Sequence, residues 1–204
     1  MSKSNKAIDS FFGIDFLRKK PGKTVLWCCL LAAALIVPSL QLQEMLPKME
    51  NLVEEEMTQM INSPIGILTI VLFAPIFEEL VFRASILRFL LFLCQEIKRS
   101  PWIAIILAAI LFAAAHMNPA QTIHPLLMGT LLGWIYYRTK SVLPCILIHS
   151  VNNTLAYLTY WICPDEDATL VDLLGSQTMV IIALIISLSL LIYSIMKLNK
   201  IMKF

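Results

Sequence analysis

The chain has 204 residues, of which 58% are hydrophobic and only 15% charged, and its formal net charge is +2. A soluble domain carries roughly a quarter charged residues, so this sequence has too little polar surface to cover a water-facing globule. An ordinary soluble enzyme, a disordered chain and a nucleic-acid-binding module are excluded.

Residues 1–23 place Ile8, Phe11, Phe12, Ile14, Phe16 and Leu17 beside the basic run Arg18, Lys19 and Lys20, as expected of a segment lying on the inner membrane surface. A spanning helix needs about 20 apolar residues. Six runs approach or reach that length: Thr24–Leu40, Pro64–Leu93, Trp102–Met117, Thr122–Tyr137, Val142–Ile162 and Gln177–Met196. The third and fourth are short for a span. No A-x-A site closes the first run, so it is taken as a retained span and not a cleaved signal peptide. Between the first two runs, Leu42, Met45, Leu46, Met49, Leu52, Val53, Met57 and Met60 recur at helical spacing opposite acidic residues, which predicts one outer amphipathic helix. The expected organisation is an N-terminal segment 1–23, a first span with its outer connection 24–63, a core 64–162, and a final span with a basic tail 163–204.

Alternate connections differ sharply in charge. One side holds Lys3, Lys6, Arg18, Lys19, Lys20, Lys23, Lys98, Arg99, Arg138, Lys140, Lys197, Lys200 and Lys203. The other holds Lys48 against Glu44, Glu50, Glu54, Glu55, Glu56, Asp165, Glu166, Asp167 and Asp172. Excess Lys and Arg mark cytoplasmic connections. The expected fold is therefore an all-α polytopic membrane bundle of about six transmembrane helices with both termini cytoplasmic. Trp102, Trp134, Tyr136 and Tyr137 fall at the cytoplasmic ends as interfacial anchors. Cys28, Cys29, Cys94, Cys145 and Cys163 show no C-x-x-C spacing and are expected to pack as small hydrophobes. Gly129 and Gly133 form a G-x-x-x-G suited to close helix contact.

Ionisable groups within a span cost about 2.5–3.5 kcal/mol each on insertion scales, and the second run contains Glu78, Glu79 and Arg83. Glu79 and Arg83 are four apart and face each other along a helix, in the favourable order for an ion pair. Glu78, about 100° further round, is left as the carboxylate free to face a cavity. Arg88 lies nearer the basic end, within reach of the surface. His116 follows Phe112 by one turn in the third run, and His149 and Asn153 share a face of the fifth. Counted at 1.5 Å per residue, His149 lies roughly 10–12 Å from the cytoplasmic edge, Glu78 near the middle and His116 roughly 20 Å in. These depths predict a cavity open to the cytoplasmic side and tapering inward. A base, two imidazoles and an amide donor form a set able to bind a metal, or to activate water and hold an oxyanion.

The stretches Glu78-Glu79-Leu80-Val81-Phe82-Arg83, Phe112-Ala113-Ala114-Ala115-His116 and His149-Ser150-Val151-Asn152-Asn153 match E-E-x-x-x-R, F-x-x-x-H and H-x-x-x-N in order. Over about Pro64–Tyr160 the chain resembles the CAAX protease and bacteriocin-processing (CPBP, or Abi) intramembrane proteases, which include the type II CAAX prenyl endopeptidases. The resemblance implies that Glu78 and His116 activate the attacking water, that His149 and Asn153 stabilise the oxyanion, and that Glu79, Arg83 and Phe112 support them. It implies a peptide or protein substrate that is membrane-associated or prenylated, a lipid bilayer as surroundings, no nucleic acid, and a prokaryotic cytoplasmic membrane as location. A divalent metal such as zinc stays open, with Glu78, His116 and His149 as candidate ligands, since no H-E-x-x-H is present. The rival readings are a non-catalytic immunity or interaction protein of the same fold and, behind it, a small transporter.

Overall fold

The computed structural model describes residues 21–47, 49–162 and 168–201. The expected surface segment before Pro21 and the loop holding Cys163, Asp165, Glu166 and Asp167 lie outside the described residues. What is described is helical: α1 (Pro21–Glu44), α2 (Glu54–Ile61), α3 (Pro64–Glu96), α4 (Pro101–Ala115), α5 (Ile123–Thr139), α6 (Leu143–Ile162), α7 (Leu170–Leu174) and α8 (Gln177–Ile201). Each of the six apolar runs forms one of the longer helices. Of these, α1 from Gly22, α3 and α8 are long and apolar enough to cross a membrane, and α4 is a shorter apolar helix.

Local signals set the boundaries. Ser63 accepts a hydrogen bond from Gly66 N and Pro64 opens α3, while Ser100 accepts from Trp102 N ahead of Pro101 in α4, the ordinary start of a helix. Helix α5 ends on Lys140 in the left-handed region (φ 51°), its N–H bonded to Tyr136 O. Thr169 and Asp172 form a capping box on α7, which stops at Gly175 with φ 82°.

The outer connection departs from expectation. In place of one amphipathic helix over 42–60, α1 runs on to Glu44 and the chain opens until α2 begins at Glu54. Pro47 accounts for the break: it cannot donate to a helix and pushes Leu46 out of the α region.

Helix α1 lies at the centre, packed on α5, α6 and α8, with Cys28, Leu31, Ala32 and Leu35 in the core. The glycine pair does what its spacing suggested. A Cβ on Gly129 would stand 3.1–3.2 Å from Ala109 and Phe112, and one on Gly133 would stand 3.0 Å from Ile105, so α5 lies against α4 at a separation a larger residue would forbid. Outward-facing Phe73, Phe77, Ile181, Ile185 and Ile186 are exposed, the arrangement of a bundle solvated by lipid.

The connections gather by charge. Leu170 N donates to Glu44 at 2.6 Å, Ile123 N to Gln43 at 3.2 Å, and Asn118 Nδ2 to Asn51 at 2.8 Å, which joins the acidic connections to the α4–α5 link. At the opposite, basic end Lys197 Nζ lies 4.9 Å from the Tyr193 ring and 6.0 Å from that of Trp27.

Candidate active site

Helix α3, which carries the first motif, departs from α-helical winding on both sides of its carboxylates. Thr69–Phe73 and Leu80–Leu87 are π-helical, and Ala74–Glu79 is an α-helical turn between them. Ser85 Oγ donates to Leu80 O, five residues back, at 3.1 Å, bridging the widened ring. Such insertions recur at functional sites because they re-aim side chains without ending the helix.

The two adjacent carboxylates have different surroundings. Glu79 is fully buried: its Oε1 accepts from His149 Nδ1 at 2.8 Å and its Oε2 lies 3.0 Å from Arg83 Nε. Glu78 keeps 28% of its side chain exposed, and its Oε2 sits 3.9 Å from His149 Nε2. That oxygen has no hydrogen-bond partner among the described residues. The ion pair of Glu79 with Arg83 is thus as the helix-face reasoning expected.

Arg83 is 2% exposed. It donates from Nη2 to Gly129 O at 3.4 Å, and its guanidinium carbon lies 4.4 Å from the centre of the Phe112 ring. Phe112 in turn meets His116 edge-to-face at 4.8 Å, His149 at 5.7 Å and Phe82 at 5.1 Å. One aromatic ring therefore holds both imidazoles and the cation in place, with geometry favourable for T-shaped contact. His116 caps α4, and its Nδ1 bonds to Phe112 O at 2.9 Å. A carbonyl only accepts, so in the neutral ring Nδ1 carries the hydrogen and Nε2 keeps a lone pair. No hydrogen bond joins His116 to Glu78 among the described residues.

Asn153 is spent differently from expectation. Its Nδ2 donates to Ile70 O in the first π-helical stretch at 3.0 Å, and its Oδ1 accepts from Asn152 at 3.4 Å. The amide keeps a second N–H. Asn152, which the motif passes over, is 5% exposed and bonds to His124 Nε2 at 3.0 Å, and His124 Nδ1 bonds to Ser39 Oγ at 2.6 Å. This chain ties α1, α5 and α6 together beside the site. An ionisable side chain at the opening of an apolar run was the signal for His124, and sequence reasoning missed it.

The candidate metal ligands do not converge. Glu78 and His149 approach each other, but His149 Nδ1 is committed to Glu79, and no group of three His, Cys, Asp or Glu among the described residues is placed to hold a metal. A catalytic zinc takes three protein ligands, so the donor set does not fit one.

Helices α4 and α5, of 15 and 17 residues, are only about 22 and 25 Å long, and their ends bearing His116 and His124 lie toward the acidic connections. A cavity of about 640 Å³ does open at the basic end, but none of the site residues line it. Leu87, Ile105, Leu132, Cys145 and Ile148 belong to the buried core, with Ile105 and Leu87 close against Gly133.

Residues 60–155 match the family model described as type II CAAX prenyl endopeptidase Rce1-like. No curated protein and no solved structure matches the chain. The matched segment holds Glu78, Glu79, Arg83, Phe112, His116, His149 and Asn153, the residues that the helices bring to one level of the bundle. Over that segment the chain is similar to the Rce1-like type II CAAX prenyl endopeptidases.

Proposed function

We propose that this protein is an intramembrane endopeptidase in which Glu78 activates a water for attack on a peptide carbonyl. The division between the adjacent carboxylates carries the reading: Glu79 is fully buried, hydrogen-bonded to His149 and ion-paired with Arg83, whereas Glu78 is partly exposed and its Oε2 makes no hydrogen bond among the described residues and only approaches His149 Nε2, at 3.9 Å. A second carboxylate, partly exposed and adding no hydrogen bond to the ion cluster, is a candidate reacting group.

Glu78 takes a proton from water, and the oxygen attacks the scissile carbonyl carbon. His116, whose Nε2 keeps a lone pair, shares the acceptance of that proton. The carbonyl electrons move onto oxygen. The oxyanion takes hydrogen bonds from His149 Nε2–H, when that ring carries both protons, and from the second amide hydrogen of Asn153. Collapse breaks the C–N bond as the proton held by Glu78 passes to the leaving amine. Glu79, Arg83 and Phe112 act through the histidines and position them.

The substrate is a peptide segment presented at the membrane, prenylated or otherwise associated with lipid. Phe73 and Phe77, 57% and 69% exposed on the same stretch of α3, provide an apolar approach to Glu78. Comparative terminal-peptide proteomics of membranes holding the wild type or Glu78→Ala tests the assignment. New peptide ends are expected only with the wild type. Identical ends in both, with a wild-type phenotype retained by His149→Ala, would transfer the assignment to a non-catalytic immunity or interaction protein.

A further inference from the structure

The cavity at the basic end is built from three separate parts of the chain: the C-terminal part of α3, the α3–α4 connection and the end of α5. Arg88, Arg99 and Lys140 line it, together with Gln95, Tyr136 and Phe92. None of the three cations has a carboxylate partner among the described residues, and no acidic side chain lines the cavity. Three like charges around one recess repel one another, and an anion placed among them relieves that repulsion.

The recess is shaped for its charges. Lys140 adopts the left-handed region at the end of α5 and its Nζ lies 4.3 Å from the centre of the Tyr137 ring, which turns its side chain back over the bundle. Burial lowers the Lys140 pKa, a cost that a bound anion offsets. Phe92 is 56% exposed, and Phe89, one turn earlier on the same face, is 60% exposed. The polar recess therefore adjoins an apolar strip turned toward lipid. Basic pockets between helices on the cytoplasmic side are suited to lipid headgroups, and the distribution of Lys and Arg assigns this end to that side.

We propose that this cavity binds the phosphate of an anionic phospholipid, with Arg88, Arg99 and Lys140 on the headgroup and the acyl chains along Phe89 and Phe92. The chemistry recognised is a phosphate oxyanion, and the apolar strip favours a lipid over free phosphate as its source. The site is independent of Glu78 and stands whether or not the protein cleaves peptides.

The test uses the full chain reconstituted in phosphatidylcholine nanodiscs containing a minor fraction of phosphatidylglycerol, with retained lipids identified by native mass spectrometry. The wild type is expected to retain phosphatidylglycerol over phosphatidylcholine by at least about tenfold. Arg88→Gln/Arg99→Gln/Lys140→Gln loses that preference, while Lys23→Gln/Lys200→Gln, at the basic end but outside the cavity, keeps it. In detergent, phosphatidylglycerol raises the thermal midpoint and inorganic phosphate does not. Equal retention of both lipids by the wild type, or an unchanged preference in the triple variant, overturns the proposal. So does a thermal response to inorganic phosphate as large as that to the lipid, since it makes free phosphate the ligand. Should the triple variant not fold, Arg99→Gln and Lys140→Gln singly decide: each lowers the preference, and two unchanged singles overturn it.

Discussion

Glu79 and His149, seventy residues apart in sequence, are joined by a 2.8 Å hydrogen bond in the interior of the bundle. With Arg83 on the other oxygen of the same carboxylate, a buried charge is balanced and an imidazole is oriented by one side chain. The neighbouring Glu78 is released from that pairing: its Oε2 makes no hydrogen bond among the described residues and only approaches His149 Nε2, at 3.9 Å.

That release makes Glu78 a change that should cost activity and not stability. Glu78→Gln is expected to lower peptide cleavage by about 10²–10⁴-fold, the range for loss of a general base, with the thermal midpoint within a degree or two of wild type. Cleavage assays on purified protein alongside thermal unfolding check both halves. Retained cleavage would remove Glu78 from the chemistry.

Glu79→Ala should behave in the opposite sense. It leaves the Arg83 guanidinium, 2% exposed, without its carboxylate, and breaking a buried pair from one side costs about 3–5 kcal/mol. A large drop in thermal midpoint is expected, partly recovered in the double variant Glu79→Ala/Arg83→Met, which removes both charges. An unchanged midpoint in the single variant would contradict the pairing.

Gly129→Leu tests the close contact of α5 with α4. The new side chain meets Ala109 and the Phe112 ring, and overpacking of this kind costs about 1–3 kcal/mol. Because Phe112 holds both histidines, cleavage should fall further than stability alone explains. A variant with lowered midpoint but full specific activity would show that Phe112 has no positioning role.

Asn118 is 4% exposed; it accepts from Leu52 N at 3.3 Å and donates to Asn51 at 2.8 Å. Asn118→Ala removes these anchors of the outer connection and should cost about 1–2 kcal/mol. Hydrogen exchange over residues 49–53 is expected to accelerate while exchange in α1 stays slow. Equal exchange in the two proteins would mean that the connection is held elsewhere.

Asp172 carries the pH prediction. The Thr169 hydroxyl, followed by its backbone N–H, holds the Asp172 carboxyl below its usual range. A group whose folded pKa is lowered stabilises the structure at pH above its unfolded value, and that contribution is lost as pH falls through the folded pKa. The start of α7 should therefore fray on acidification below the ordinary Asp range, seen as faster exchange at Asp172–Leu174. Asp172→Asn should abolish that dependence, and a persisting acid transition there would assign it to another group.

Much of the architecture was legible before any coordinates. The six longer helices came from apolar runs, the grouping of connections from Lys and Arg, and the Glu79–Arg83 pair from a spacing of four, because each is a property of local composition or helical period. The outer connection was not legible in the same way: helical spacing continued across Pro47, and the proline decided where the helix ended. His124 escaped notice because one polar residue at the mouth of an apolar run is ambiguous until Asn152 and Ser39 arrive from other helices.

The sequence by itself determined membrane residence, the six apolar runs, the two charge faces and the set of residues that chemistry would need. Only the tertiary structure decided which of those residues meet. Glu79 of α3 meets His149 of α6, Phe112 joins two histidines from different helices, and Asn153 is drawn to a backbone carbonyl of α3. These outcomes depend on how helices tilt and on how closely Gly129 and Gly133 let α5 approach α4. Such distances arise from packing among segments far apart in the chain, and no local pattern in the sequence encodes them.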